Sequence, residues 1–140
     1  ATTLCLGFWH IHVLDRRRDP SKHANIIAVA PHLGPADALL LVAATALPAT
    51  CFVARIEMSR MPVYLVACGF QLILVNLKEK ESKQSCKEAI AFRAGSSWGG
   101  PPVALFPEGA ITNGKVLTQF KQGAFAPGEP VTPVLLRIPP

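Results

Sequence analysis

Short apolar runs, each bounded by polar residues, glycine or proline, alternate along this chain with longer segments rich in helix formers. Residues 25–30 (Asn-Ile-Ile-Ala-Val-Ala) are closed by Pro31 and read as a buried strand. Residues 38–44, all alanine, leucine and valine, read as a helix, and Pro35 suits its first turn because a missing N–H costs nothing there. Residues 50–54 read as a second strand, residues 55–61 as a short helix stopped by Pro62, and residues 71–75 as a third strand. Residues 78–94 place Cys86, Ala89, Ile90 and Arg93 at helical spacing, which predicts an amphipathic surface helix. The glycine- and proline-rich residues 95–102 predict a loop, residues 103–106 a fourth strand, and residues 131–136 a fifth, placed near a sheet edge by Pro133. Residues 15–25 are a polar loop, and no internal repeat is present. Strands alternating with helices predict an α/β domain with a largely parallel sheet.

The 140 residues suit one domain, residues 1–140, with a real core. Half the residues are apolar, only 16% are charged, and the mean hydropathy is +0.32, greasier than an average soluble domain and suited to work at a membrane. The longest uncharged run, residues 38–54, is broken by Pro48, whereas a bilayer span wants ~20 apolar residues. Residues 4–9 fit the tail of an upstream membrane helix, no signal peptide pattern is visible, and the chain reads as a fragment of a longer protein. The net charge is +5, and Arg16-Arg17-Arg18 is the one dense basic run. It is either a solvated loop or a contact with anionic headgroups, where each charge is worth about 1 kcal/mol. No basic stripe with interleaved aromatics follows, so nucleic acid is not an expected partner. Cys5, Cys51, Cys68 and Cys86 form no C-x-x-C pair, so zinc is not expected. Cys51 and Cys68 sit in apolar stretches and read as small buried hydrophobes in a reducing compartment.

Two segments carry candidate chemistry. The first is His32-Leu33-Gly34-Pro35-Ala36-Asp37, on the loop after the first strand, where ligand sites of open α/β sheets gather. Five residues of continuous helix turn through about 500°, so His32 and Asp37 meet only if His32 precedes the helix and the chain folds back. Asp37 then accepts the N–H of one ring nitrogen and leaves the other to take a proton. The alternative is a capped helix start, with Asp37 facing the helix dipole. No G-x-S-x-G elbow is present, which favours direct attack by a substrate hydroxyl, with His32 as general base, over an acyl-enzyme. The second segment is residues 106–115, Phe-Pro-Glu-Gly-Ala-Ile-Thr-Asn-Gly-Lys. Its glycines permit tight turns. Thr112, Asn113 and main-chain N–H groups can hold a phosphate or glycerol oxygen, Glu108 a hydroxyl or positive group, and Lys115 and Lys121 a phosphate. The alternative is an ordinary turn capped by Thr112 and Asn113. Residues 131–134 either line an apolar slot or form a plain core strand.

In their order, these segments resemble the lysophospholipid acyltransferase superfamily, within it the lysophosphatidylcholine and lysophosphatidylethanolamine acyltransferase branch. The resemblance runs from Phe8 to Pro139. Ala30-Pro31-His32 with Asp37 matches the first block, residues 69–77 the second, Phe106-Pro107-Glu108-Gly109 the third and Val131-Thr132-Pro133-Val134 the fourth. Thr112-Asn113-Gly114 and residues 120–125 look like this branch, whereas phosphatidate-forming members usually carry arginine and serine where Ile111 and Thr112 stand. The resemblance implies acyl-CoA as co-substrate, a lysophospholipid acceptor, no cofactor or metal, and residence on the endoplasmic reticulum, Golgi or lipid droplets. It implies His32 as base oriented by Asp37, acceptor binding by Glu108 and Gly109, and shaping of the acyl-CoA site by Pro133. The second block usually ends in a phosphate-contacting arginine, but Leu77 stands here with Lys78 beside it. Either Lys78 substitutes through a local bend, or acceptor binding has changed, or this is a weakened, non-catalytic lipid-binding copy. A thioesterase-like hydrolase would use the same base. Residues 33–36 also depart from the bulkier, aromatic-containing pattern usual before the aspartate.

Overall fold

A computed structural model describes residues 12–16, 24–44, 50–60, 71–116 and 118–137. The readings made on residues 4–9, Arg17, Arg18, Pro48, Cys5, Cys68 and the start of the second block lie outside the described residues. Five strands, β1 (Ile26–Ala30), β2 (Cys51–Arg55), β3 (Ile73–Val75), β4 (Val103–Leu105) and β5 (Val131–Leu135), form one sheet in the order β3-β2-β4-β1-β5. Every pairing is parallel, as the alternation of strands and helices predicts. β5 is an edge strand, with Pro133 opposite Ala28. An edge is where a residue without an N–H costs the ladder least.

Parallel strands covered on both faces read as apolar runs, and β1 shows why. Ile26 and Ala28 point to one face with α2 (Lys80–Ala94), packing with Cys86, Ile90, Val103 and Leu105. Ile27 and Val29 point to the other, with Leu41 of α1 (Asp37–Ala44), Phe52 and Ala104. Ile26 and Val29 are fully buried. Cutting either back to alanine would cost about 2–5 kcal/mol for isoleucine and somewhat less for valine. The buried stripe of α2 is Cys86, Ile90 and Ala94, and the Asn25 amide caps its end by donating to Gly95 O at 2.8 Å.

Two local readings change. The segment read as a short α-helix at 55–61 is a 3-10 turn, Ile56–Arg60. Pro35 sits not in the first helical turn but in the turn just ahead of it, where Asp37 N donates to Gly34 O at 3.2 Å and Leu40 N makes the first helical bond to Ala36 O. Cys51 is fully buried as expected, but it is also a polar junction. Its Sγ lies 2.8 Å from Gln71 O, and Arg93 Nη1 reaches Sγ at 2.6 Å and Gln71 O at 2.9 Å.

The strand order places the candidate site. β1 leads through α1 toward β2, while its neighbour β4 leads through the 106–125 loop to β5 on the opposite side. Adjacent strands whose connections leave in opposite directions open a crevice at their C-terminal ends, where ligands of α/β sheets bind. His32 and Glu108 follow the two strands that border it.

Candidate active site

Asp37 is the anchor. Its side chain is 3% exposed, and a carboxylate so buried is tolerable only when its oxygens are well supplied with donors. Oδ2 accepts from Leu33 N at 2.6 Å and Gly34 N at 2.9 Å, and lies 2.8 Å from His32 Nδ1. The two main-chain bonds fold residues 32–34 back over the helix start, so residues five apart meet without sharing a helical face. Asp37 is the first residue of α1, and the bonds of its Oδ2 run back to residues 32–34 ahead of the helix. In the tautomer that donates from Nδ1 to this carboxylate, Nε2 is the nitrogen that presents a lone pair.

His32 is held on its other sides by the loop after β4. Phe106 stacks on the imidazole, centroids 4.1 Å apart and planes 18° from parallel. The main-chain N–H of His32 donates to Glu108 Oε2 at 3.3 Å, and its carbonyl accepts from Thr112 N at 2.7 Å. Thr112 Oγ1 donates to the same Glu108 oxygen at 3.2 Å. Glu108 is 6% exposed, so its carboxylate lies inside the loop junction.

Gly109 closes a tight turn, its N–H donating to Phe106 O at 2.9 Å, with φ +67°. The backbone conformation calls for glycine, and a Cβ there would also come within 2.6 Å of Lys121 Nζ, the mobile end of a side chain that can move aside. Lys121 N also donates to Pro107 O at 2.8 Å. Asn113 is exposed and turns the chain by accepting Lys115 N on Oδ1 at 3.0 Å. Thr112 and Asn113 line a cleft of about 430 Å³ with Pro31, Leu33, Leu136 and Arg137. Pro133 lies in a second, largely apolar groove of about 610 Å³, with Pro107, Phe120 and Phe125. Residues 131–134 therefore serve as both strand and groove wall.

The structure thus gathers His32, Asp37, Glu108, Gly109, Thr112, Asn113 and Lys121 at one crevice, with Pro133 in the adjoining groove. Lys78 stands apart. It follows β3, three strand spacings or roughly 14 Å along the rim from β1. β3 ends at Val75, and Leu77 and Lys78 occupy a turn in which Glu79 N donates to Asn76 O at 3.2 Å. Strand alternation therefore does not force the two to opposite faces, and both are exposed. The sequence places Phe106 in the third block without a role of its own and gives no sign of Arg137. The aromatic just before Pro107 was the available signal for Phe106, and Arg137 offered none beyond following the last strand.

The Acyltransferase family model matches residues 10–137. Lysophospholipid acyltransferase LPCAT4 of Xenopus tropicalis is 40% identical over 95% of this chain and 25% of its own length. Lysophosphatidylcholine acyltransferase 2 of Danio rerio is 39% identical over 91% of the chain and 24% of its own. The Drosophila melanogaster lysophosphatidylcholine acyltransferase is 37% identical over 95% of the chain and 25% of its own. The chain spans about a quarter of the length of these relatives. No solved structure matches it. A family match that runs through both loops of the crevice and on past β5 settles the kinship: this chain belongs to the Acyltransferase family.

Proposed function

We propose that this domain transfers an acyl group from acyl-CoA to the hydroxyl of a lysophospholipid, with His32 as general base. The acceptor O–H gives its proton to Nε2 as its oxygen attacks the thioester carbonyl. The tetrahedral intermediate collapses, the C–S bond breaks, and the CoA sulfur takes the proton from the imidazolium. The observation that carries this reading is the 2.8 Å contact of His32 Nδ1 with buried Asp37 Oδ2. It orients the ring and stabilises the imidazolium. The names of the relatives, lysophosphatidylcholine and lysophospholipid acyltransferases, support the substrate class.

Thr112 and Asn113, which line the cleft, would bind the acceptor's glycerol and phosphate, with Gly109 and Lys121 on the turn beside it and Glu108 buried behind Thr112. Lys121 supplies positive charge beside developing oxyanion charge. Pro133 and the groove around it would take part of the acyl-CoA. Lys78, on the far rim, would meet a phosphate only in a ligand that extends along the strand ends.

The membrane is the proposed site of action, that of the endoplasmic reticulum first and the Golgi or lipid droplets next. No helix among the described residues is long and apolar enough to cross a bilayer. The support is a surface. Ile56, Met58, Leu77, Ile111, Val116 and Leu135, all exposed, follow or end strands at the rim that holds the crevice. Lys78, Lys115 and Arg137, also exposed, follow β3, β4 and β5 in the chain. A second reading, a lipid-binding homologue without turnover, draws on Leu77, an apolar residue where the resemblance calls for arginine.

The test is the full chain in membranes with labelled acyl-CoA and a panel of lysophospholipids. Labelled diacyl phospholipid supports the transferase and names the headgroup. Ligand binding without product points to the second reading, and free fatty acid released without acceptor points to a hydrolase.

A further inference from the structure

We propose that Glu108 is a positioning residue that fixes the His32 main chain, rather than a ligand of the acceptor; this rests on His32 being the base. Glu108 as a residue is only 6% exposed, and one carboxylate oxygen is already shared between two donors. Oε2 takes the His32 N–H at 3.3 Å and the Thr112 hydroxyl at 3.2 Å. Thr112 closes the ring by donating its N–H to the His32 carbonyl at 2.7 Å. Both polar main-chain groups of His32 are therefore tied to the loop after β4, one through Glu108 and one through Thr112.

The consequence is geometric. His32 has four restraints: Asp37 on Nδ1, Phe106 on the ring face, Glu108 on the main-chain N–H and Thr112 on the carbonyl. Among the described residues, it is the Glu108 side chain that bridges the His32 main chain and the Thr112 hydroxyl, across a sequence separation of 76 residues. The two loops leave adjacent strands in opposite directions, so no helix or ladder bond sets their spacing beyond the strand ends. An anion suits this place, because hydrogen bonds to a charged acceptor are roughly twice as strong as neutral ones. Loss of the brace frees the His32 backbone to shift, and a displacement near 1 Å can cost ~100-fold in rate.

The experiment compares Glu108→Ala and Glu108→Gln, each alone and combined with His32→Ala, in the full chain with lysophospholipid and acyl-CoA. A glutamine oxygen can accept both bonds, whereas alanine accepts neither. The brace predicts that E108A lowers kcat about 100-fold while the acceptor KM moves less than about twofold. It predicts that E108Q recovers kcat to within about tenfold of the parent. It also predicts that E108A adds almost nothing in the His32→Ala background, since residues acting through one group are not additive. A tenfold or larger rise in acceptor KM with kcat retained, or an E108A effect that persists without His32, overturns it. Should E108A not fold, the KM of E108Q decides: unchanged supports the brace, raised tenfold overturns it. Failure of the base assignment shows separately, as acyl transfer retained by His32→Ala.

Discussion

Phe106 lies flat on the His32 imidazole, ring centroids 4.1 Å apart and planes 18° off parallel. The contact joins the ends of two neighbouring parallel strands and confines the ring to the plane in which Nδ1 meets Asp37. Stacked aromatic pairs add about 0.5–1.5 kcal/mol beyond buried area. Phe106→Leu should therefore lower kcat by roughly 2- to 12-fold with the acceptor KM little changed, and Phe106→Tyr should restore it. Steady-state kinetics of both variants would decide; an unaltered kcat in the leucine variant removes the ring's positioning role.

Asp37→Asn keeps the side-chain shape but presents a neutral amide to Nδ1. Its oxygen can serve the N–H groups of Leu33 and Gly34, or the imidazole, but it no longer stabilises the imidazolium. The expected loss in kcat is about 100- to 10,000-fold. The companion measurement is thermal melting, which should show a fall as well, since three hydrogen bonds converge on this one oxygen.

Gly109 combines a φ of +67° with a lysine folded over its α-carbon. Gly109→Ala should cost about 1–3 kcal/mol of stability. The added carbon would meet the far end of Lys121, a flexible side chain, while the backbone strain is fixed. Lys121→Ala in the alanine variant should then recover only the smaller, steric part. Urea midpoints of the single and double variants would measure the division, and full recovery in the double variant would contradict it.

Cys51 carries a pH dependence. Burial pushes its thiol above the ordinary value of 9.0, against a partly opposing pull from Arg93. A folded-state value above the unfolded one means stability is fully present below the unfolded value and is lost as pH rises through the folded one. The expected window lies above pH 9, and Cys86, also raised by burial, acts in the same sense. Urea titrations at rising alkaline pH should show a decline that is shallower in Cys51→Ala. A decline of the same slope in that variant would assign it to other groups.

Much of this was legible in the sequence because it is local. All five strands show as apolar runs with turn residues at their ends, Pro133 marks the sheet edge, and of the stripe read at Cys86, Ala89, Ile90 and Arg93 the structure buries Cys86 and Ile90 and adds Ala94. His32 and Asp37 stand five residues apart, and the only question was whether the chain folds back. Two short main-chain bonds to the carboxylate answer it. What stayed hidden is what crosses between strands. Nothing near Glu108 or Thr112 in the chain says that they grip the His32 backbone. That contact exists because β4 lies beside β1, a matter of strand order. Arg93 was legible as a helix-face residue, but its bonds to Cys51 and Gln71 depend on where α2 ends over the sheet. β3 ends at Val75, where the sequence reading also ends it, but begins at Ile73 rather than Gln71, and the Asn76 side chain shapes the turn that follows by accepting Lys78 N at 3.1 Å.

The central claim is that His32 removes the acceptor's proton. The most direct measurement is single-turnover transfer of labelled acyl-CoA to lysophosphatidylcholine by the full chain and its His32→Ala variant, with binding of both substrates verified. The account predicts a loss of at least ~100-fold, and up to ~10,000-fold, in the transfer step with substrate binding retained. Transfer at near-parental rate by the variant would contradict it.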